Sequence, residues 1–393
     1  MCIGKHHIGL LPLILVAIIL GILLGNVLTE SWVRAFVTFN GIFSQLLGFM
    51  VPLIIVGLVT PAIASIGRGA GKMLLATVAI AYADTIFAGL LAYGTGSWLF
   101  PGMVEAAGHV NVAPTTELKP YFEIKIPAML DVMSALLFSF MMGLGIIYTN
   151  GKTLKNIFDE FQKIISKAIA KVIIPLLPIY ILGIFTNMTY DGEAYRILLV
   201  FAQIIVVIIA LHIVVLLYEF FIAGGIAHKN PFRLLWNMMP AYLTALGTSS
   251  SAATIPVTLA QTIKNGVDKF IAGFVIPLCA TIHMSGSMMK ITACALTVCL
   301  MSGIPHGFPL FMNFMLLLGI CMVAGPGVPG GAIMTALGPL ASVLGFNAEQ
   351  QALMIALYIA MDSFGTACNV TGDGAVAIAI DKIFNKKDNV NNK

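Results

Sequence analysis

Long stretches of the 393-residue chain contain no Lys, Arg, Asp or Glu. An α-helix needs about 20 consecutive, mainly apolar residues to cross the hydrocarbon core of a bilayer. The uncharged stretches are close to that length or longer, and they cover residues 8–29, 35–67, 132–151, 172–190, 197–218, 234–263 and 291–348. The pattern predicts an all-α polytopic membrane protein.

Composition and charge agree with this prediction. Hydrophobic residues make up 59% of the chain and charged residues 10%, whereas charged residues make up about 25% of soluble domains. The first apolar stretch is too long for a secretory signal and lacks a small-residue cleavage site, so we expect a retained first helix. With the N-terminus in the cytoplasm, only Arg34, Lys119, Lys125 and Arg196 fall outside, and Lys290 falls within the membrane. This asymmetry predicts a cell-membrane protein of the bacterial inner-membrane type, with both termini cytoplasmic.

Two of the uncharged stretches contain breaks at membrane depth. Residues 234–263 are too few for two spans but suffice for two half-length helices. The LGTSSSAATIPV segment (246–257) supplies the turn through its three serines and through Pro256, which cannot continue a helix. The VAGPGVPGGAIM segment (323–334) is a second break, rich in Gly and Pro. A hairpin followed by a polar-studded helix, occurring twice, is typical of the inverted repeats of a secondary transporter. Half-helix ends at the midplane would offer N–H groups to an anion and C=O groups to a cation.

The last apolar segment, MDSFGTACNVTGDGAVAIAI (361–380), carries two carboxylates. Asp362, Thr366, Asn369 and Asp373 are spaced to form one stripe on a helix. A carboxylate at the bilayer centre costs at least about 2.5 kcal/mol, so we expect this stripe to face the protein interior and to meet a cation or an ammonium group. The alternative is a structural stripe that holds helices together.

The NVTGD segment (369–373) is similar to the NxxGD signature of the glutamate transporter family, the dicarboxylate/amino acid:cation symporters. TSSSAATIP (248–256), HMSGS (283–287) in place of the family's NMDGT, and GVPGG (327–331) follow in the family's order, and MVPLIIVGLV (50–59) resembles its second helix. The resemblance implies eight transmembrane helices, two re-entrant hairpins and inverted repeats. It also implies a homotrimer of the elevator type, in which a transport domain moves against a scaffold.

The resemblance further implies a division of the chain. The expected parts are 1–71 (scaffold helices 1 and 2), 72–125 (transport-domain helix 3 and external loop), 126–190 (scaffold helices 4 and 5), 191–230 (transport-domain helix 6) and 231–393 (transport-domain core with hairpin 1, helix 7, hairpin 2 and helix 8).

The family's site residues carry over by position. Asp362 matches the ligand of the substrate's amino group, Thr366 and Asn369 lie near its carboxylate, and the hairpin tips close over it. The implied substrate-binding set is Ser250, Ser251, Gly327, Val328, Pro329, Gly330, Asp362, Gly365, Thr366 and Asn369. The implied sodium ligands, partly through backbone carbonyls, are Asn369, Asp373, His283 and Cys279.

Departures from the family pattern refine the expected substrate. Members that carry acidic substrates have an arginine where this chain has Gly365. We therefore expect a small neutral amino acid of the serine, threonine, alanine or cysteine type, carried with sodium, as in the serine/threonine:sodium branch. The alternatives are an acidic amino acid or dicarboxylate and a proton-coupled symporter. More remote are a passive channel and an intramembrane hydrolase, and we expect neither an enzyme nor a nucleic-acid partner.

Other departures concern the cations. His283 and Ser285 replace the Asn and Asp of NMDGT, and Ile80 and Ala81 replace hydroxyl residues, so one sodium site looks dismantled. His283 is then either a packing residue or a proton-linked residue that acts with Asp84. Lys290 either snorkels or pairs structurally, or it serves as a tethered surrogate cation.

Overall fold

The computed structural model describes residues 2–3, 6–7, 10–66, 71–106, 118–192, 194–323 and 330–385. Two short antiparallel strands, β1 (Cys2–Ile3) and β2 (His6–His7), precede the helices. The helices are α1 (Leu10–Val27), α2 (Glu30–Ile66), α3 (Lys72–Ala106), α4 (Val132–Thr149), α5 (Lys152–Ala168), α6 (Ile174–Tyr190), α7 (Ala194–Ala227), α8 (Pro231–Thr248), α9 (Ser251–Lys264), α10 (Lys269–Ile282), α11 (Ser285–Ser302), α12 (Phe308–Val323), α13 (Gly331–Ser342), α14 (Ala348–Ala360) and α15 (Asp362–Phe384).

Seven helical segments within the described ranges are long and apolar enough to cross a membrane. They are α1, α2, α3, α4, the segment Lys152–Tyr190, α7 and the segment Lys269–Ser302. In Lys152–Tyr190 the π-helical turn Ile169–Ile173 joins α5 to α6. Helices α14 and α15 meet at a bend of 63°, and the pair together is long and apolar enough to cross, which gives eight spans when the bent pair is counted as one. The pairs α8–α9 (hairpin 1) and α12–α13 (hairpin 2) complete the predicted all-α architecture, which is confirmed.

Hairpin 1 turns at its serines. Ser249 ends α8 in the left-handed region, with φ of 49°, and the Ser250 side chain caps α9 by accepting from the backbone N–H of Ala253 at 3.3 Å. The prediction that Pro256 contributes to the break is wrong, because α9 continues through it. A left-handed residue followed by a serine N-cap is sufficient to end one helix and begin the next.

The helices pack as two groups. In one group α1 packs on α6, α6 on α2 and α2 on α4, while in the other α3, α7, α8, α9, α10 and α11 surround α15. Every residue from 285 to 299 in α11 and from 365 to 381 in α15 is buried. Polar side chains on these two helices therefore face protein on all sides, which is the arrangement expected for charged groups at membrane depth.

Candidate substrate and cation site

The site begins where α15 begins. Asp362 is the first residue of this helix and follows the bend at Met361, and Thr366, Asn369 and Asp373 lie further along it. All four stripe residues are buried. Because they belong to one continuous helix at the predicted spacing, they share one face of it.

Both hairpins reach the start of α15. The backbone N–H of Gly330, which precedes α13, donates to Asp362 Oδ2 at 2.8 Å. The hydroxyls of Ser249, in hairpin 1, and Ser363 are 2.7 Å apart. Ser250 and the buried Ser251 form the start of α9 on the same hairpin. The other implied substrate residues in hairpin 2, namely Gly327, Val328 and Pro329, lie outside the described residues.

Lys290 of α11 pairs with Asp362. Its ammonium nitrogen is 3.6 Å from Asp362 Oδ1, 3.3 Å from the Met361 carbonyl oxygen and 3.7 Å from the centroid of the Tyr358 ring. The side chain is completely buried, so it does not snorkel. A Cβ atom at Gly365 would collide with the end of the lysine side chain. The space that Gly365 leaves is therefore filled by a cationic group.

Asn369 connects α15 to the first turn of α11. Its Oδ1 accepts from the backbone N–H groups of Gly286 at 2.9 Å and Ser287 at 3.3 Å, and its Nδ2 donates to the Ser287 hydroxyl at 3.1 Å. The side-chain oxygen that the sequence predicts as a sodium ligand thus already accepts two hydrogen bonds within the protein.

A second cluster of charged side chains surrounds His283, which lies between α10 and α11. Its Nδ1 is 3.0 Å from Asp373 Oδ1, and its Nε2 is 2.8 Å from Asp84 Oδ2 and 4.0 Å from Glu219 Oε1. The Tyr218 hydroxyl donates to Asp84 Oδ1 at 2.5 Å. We call His283, Asp84, Glu219 and Asp373 the His283 cluster.

Hydrogen-bond counting shows what this cluster requires. Ionised carboxylates only accept hydrogen bonds, and a neutral imidazole donates from one nitrogen. Because both ring nitrogens of His283 face carboxylate oxygens, either the ring is an imidazolium or one carboxylate carries a proton. Ligand atoms of Asp84, Glu219 and His283 lie within 4.8 Å of one another, close enough to hold a metal ion. The Cys279 carbonyl, a predicted sodium ligand, accepts from the backbone N–H of His283 at 2.9 Å.

Glu219 belongs to the His283 cluster, a role that was not predicted from the sequence. The Ser285 hydroxyl donates to its Oε1 at 3.0 Å. The available signal was a lone carboxylate in the strongly apolar α7, since such residues are usually functional. Gly372 is required here, because a Cβ atom at this position would collide with Glu219 and His283.

Two hairpins that contact the first residues of α15, beside a buried carboxylate, are typical of polytopic membrane proteins of the secondary-transporter class. The chain matches the Sodium:dicarboxylate symporter family over residues 10–383. It belongs to this family, as the motifs indicated, and the family consists of transporters rather than enzymes.

Two relatives illustrate the similarity. The chain is 31% identical over 265 residues to excitatory amino acid transporter 3 of Mus musculus, with 66% of this chain and 50% of that protein covered. It is 29% identical over 282 residues to excitatory amino acid transporter 1 of Ambystoma tigrinum, with 69% of this chain and 51% of that protein covered. The chain spans about half the length of these curated relatives.

Proposed function

We propose that the chain is a secondary active transporter that carries a small neutral amino acid, of the serine, threonine, alanine or cysteine type, across the cell membrane together with sodium. The observation that supports this best is Asp362, a buried carboxylate at the start of α15 that contacts hairpin 2 through Gly330. A carboxylate in this place binds the ammonium group of an amino acid. The N-terminal ends of α9 and α13 carry the positive ends of their helix dipoles, which suit the substrate's carboxylate.

Charge balance favours a neutral amino acid. Asp362 and Lys290 form a pair without net charge. A zwitterion adds no net charge to this pair, whereas an acidic amino acid adds one negative charge at membrane depth, where charge is costly.

A second candidate substrate is an acidic amino acid or a dicarboxylate. The observation that favours it is the ammonium of Lys290, which lies against Gly365, the position from which the family's arginine extends. A carboxylate that displaced Asp362 from this ammonium would gain a cationic partner. The names of the two relatives also point to excitatory amino acids as substrates of those proteins.

We expect fewer sodium ions per substrate than in the glutamate-carrying relatives. Asp373 Oδ1 is hydrogen-bonded to His283 Nδ1, and Asn369 Oδ1 accepts from two backbone N–H groups. A sodium ion bound by these oxygens must compete with hydrogen-bond partners within the chain itself. The slope of substrate affinity against sodium concentration measures the number of coupled ions, and a slope equal to that of the glutamate carriers would contradict this expectation. Sodium-independent uptake driven by a proton gradient would favour the proton-coupled alternative.

The movement we propose is an elevator motion within a homotrimer. The group of helices around α15, with both hairpins, would carry the substrate, and the group formed by α1, α2, α4 and α6 would hold the subunits together. The packing of the helices into these two groups supports this division.

Two measurements test the proposed function. Thermal shifts of the purified protein with L-serine, L-alanine, L-threonine, L-cysteine, L-aspartate, L-glutamate and succinate, with and without sodium, identify the substrate class. Ligand at a hundred times its Kd adds about 2.7 kcal/mol to the free energy of unfolding. Stabilisation by the acidic compounds alone would contradict a neutral amino acid as the substrate and would support an acidic amino acid or a dicarboxylate.

The second measurement uses Asp362→Asn in proteoliposomes. Removing the charge that binds the ammonium should weaken amino acid binding by about 2–5 kcal/mol and abolish uptake, while the oligomer stays intact. Uptake at the wild-type rate would show that Asp362 does not bind the substrate.

A further inference from the structure

We propose that Lys290 is a tethered counter-ion for Asp362, which takes the place of the substrate's ammonium group and lets the carrier return across the membrane without cargo. The inference rests on the proposed function, because that function assigns Asp362 to the substrate. It extends that function by assigning the return step to a residue of the chain instead of a second transported ion.

The position of the ammonium supports this assignment. Gly330 donates to Oδ2 of Asp362, and Lys290 lies 3.6 Å from the other oxygen, Oδ1. Lys290 thus faces the part of the carboxylate that a substrate ammonium would contact. A lysine ammonium and the ammonium of an amino acid have the same charge and the same three N–H donors. Each can therefore replace the other at this oxygen.

The return step creates the need for such a group. A carboxylate at membrane depth requires a cationic partner in every conformation of the cycle. The substrate's ammonium is that partner while cargo is bound. Lys290 is fully buried and on the helix next to Asp362, so it is the partner when cargo has left.

Lys290 also has alternative partners while a substrate is bound. The Met361 carbonyl is 3.3 Å from the ammonium and the Tyr358 ring centroid is 3.7 Å from it. A helix C-terminal carbonyl and an aromatic face both stabilise a cation. Gly365 leaves room for the lysine stem. The ammonium can thus leave Asp362 by rotation of its own side chain and remain inside the site.

The test compares net uptake with exchange in proteoliposomes. Labelled L-serine, and in parallel labelled L-aspartate, is offered to vesicles that are either free of substrate or loaded with the unlabelled compound. Exchange needs only the loaded carrier, whereas net uptake also needs the return of the empty carrier. In Lys290→Met, net uptake should fall at least about tenfold relative to exchange, because the return then carries an unpaired Asp362. Lys290→Arg keeps a cation and should keep the wild-type ratio.

Lys269→Met is the matched control, since Lys269 is an exposed lysine at the start of α10. It should leave both rates unchanged. An unchanged ratio of net uptake to exchange in Lys290→Met would overturn the inference. Loss of both activities in a Lys290→Met protein with the wild-type oligomeric state and melting temperature would also overturn it, because Lys290 would then be needed for the loaded carrier.

If Lys290→Met does not yield a folded protein, measurements on the wild-type protein test the inference. With sodium outside, net uptake into vesicles that contain only choline should equal net uptake into vesicles that contain potassium. A requirement for internal potassium or another inorganic cation would overturn the inference. Wild-type vesicles that show neither uptake nor exchange of any tested compound would contradict the proposed function instead.

Discussion

At the scale of single residues, Gly372 shows how closely the charged groups approach α15. The carboxylate of Glu219 and the ring of His283 occupy the place where any larger residue at 372 would put its side chain. Gly273, on α10, has open space at the corresponding position. These two helical glycines therefore differ in what a methyl group would meet.

Gly372→Ala should lower the free energy of unfolding by about 1–3 kcal/mol, because overpacking a full site displaces buried groups. Gly273→Ala, the control, should raise it by about 0.5–1 kcal/mol through the better helix propensity of alanine. The measurement is the thermal and denaturant stability of both variants in one detergent. Equal effects of the two substitutions would contradict the close approach at Gly372.

At the scale of helices, the start of α13 in hairpin 2 depends on a left-handed residue. Gly330 has φ of 73° and directs its N–H at Asp362. Gly345, in the turn after α13, has φ of 70° and open space around it. The two glycines share a backbone conformation, but among them only Gly330 contacts the site.

Gly330→Ala and Gly345→Ala should each cost about 1–2 kcal/mol of stability, since a Cβ atom disfavours this conformation. Substrate affinity should fall at least about tenfold, or 1.4 kcal/mol, in Gly330→Ala alone, because its N–H moves away from Asp362. Isothermal calorimetry on both variants checks this difference. Equal substrate affinity of the two variants would show that hairpin 2 does not contribute to substrate binding.

The His283 cluster joins several helices at one point. Asp84 comes from α3, Glu219 from α7 and Asp373 from α15, and His283 precedes α11. A single ring thus holds carboxylates from three helices.

His283→Ala should destabilise the protein by about 3–5 kcal/mol, because it leaves buried carboxylates without their shared partner. Adding Asp84→Asn should recover part of this loss, with a coupling energy of about 0.5–3 kcal/mol in a double-mutant cycle. His306→Ala, at an exposed histidine in the loop after α11, should stay within about 0.5 kcal/mol of the wild type. Additive effects of the two cluster substitutions would show that the ring and Asp84 are not coupled.

At the scale of the whole molecule, the sequence predicted the positions of the helices better than the contacts between side chains of different helices. Apolar runs, the serines of hairpin 1 and the spacing of Asp362 to Asp373 located the spans, that hairpin and the stripe, because each of these signals is local along the chain. The pairing of Lys290 with Asp362 and the place of Glu219 depend on which helix faces which. Periodicity identifies a face of a helix but not the neighbour that covers it, so these contacts needed the structure.

The proposed elevator motion predicts that a bridge between the two groups of helices stops transport. A Cβ atom at Gly338 of α13 would lie 3.3 Å from Cδ1 of Ile55 in α2. Cysteines at these two positions, bridged by Hg²⁺, should reduce uptake at least about tenfold by blocking the conformational step. Dithiothreitol should restore uptake.

The control for this bridge is a cysteine pair at Asn40 and Gly183, which joins α2 and α6 within one group; a Cβ atom at Gly183 would lie 3.0 Å from Asn40 Cγ. Bridging this pair should leave uptake unchanged. If the bridge between Ile55→Cys and Gly338→Cys also leaves uptake unchanged, the two groups do not move past each other during transport.

The contact between Gly365 and Lys290 restricts how this lineage can diverge. A residue larger than glycine cannot enter position 365 while Lys290 keeps its present conformation. Conversely, loss of Lys290 leaves Asp362 without its cation. Each substitution is therefore harmful before the other has occurred, so positions 290 and 365 are expected to covary in descendants of this sequence. Replacing Gly365 with arginine and losing Lys290 takes two substitutions. The fitness of the sequence that carries only one of them depends on which substitution comes first.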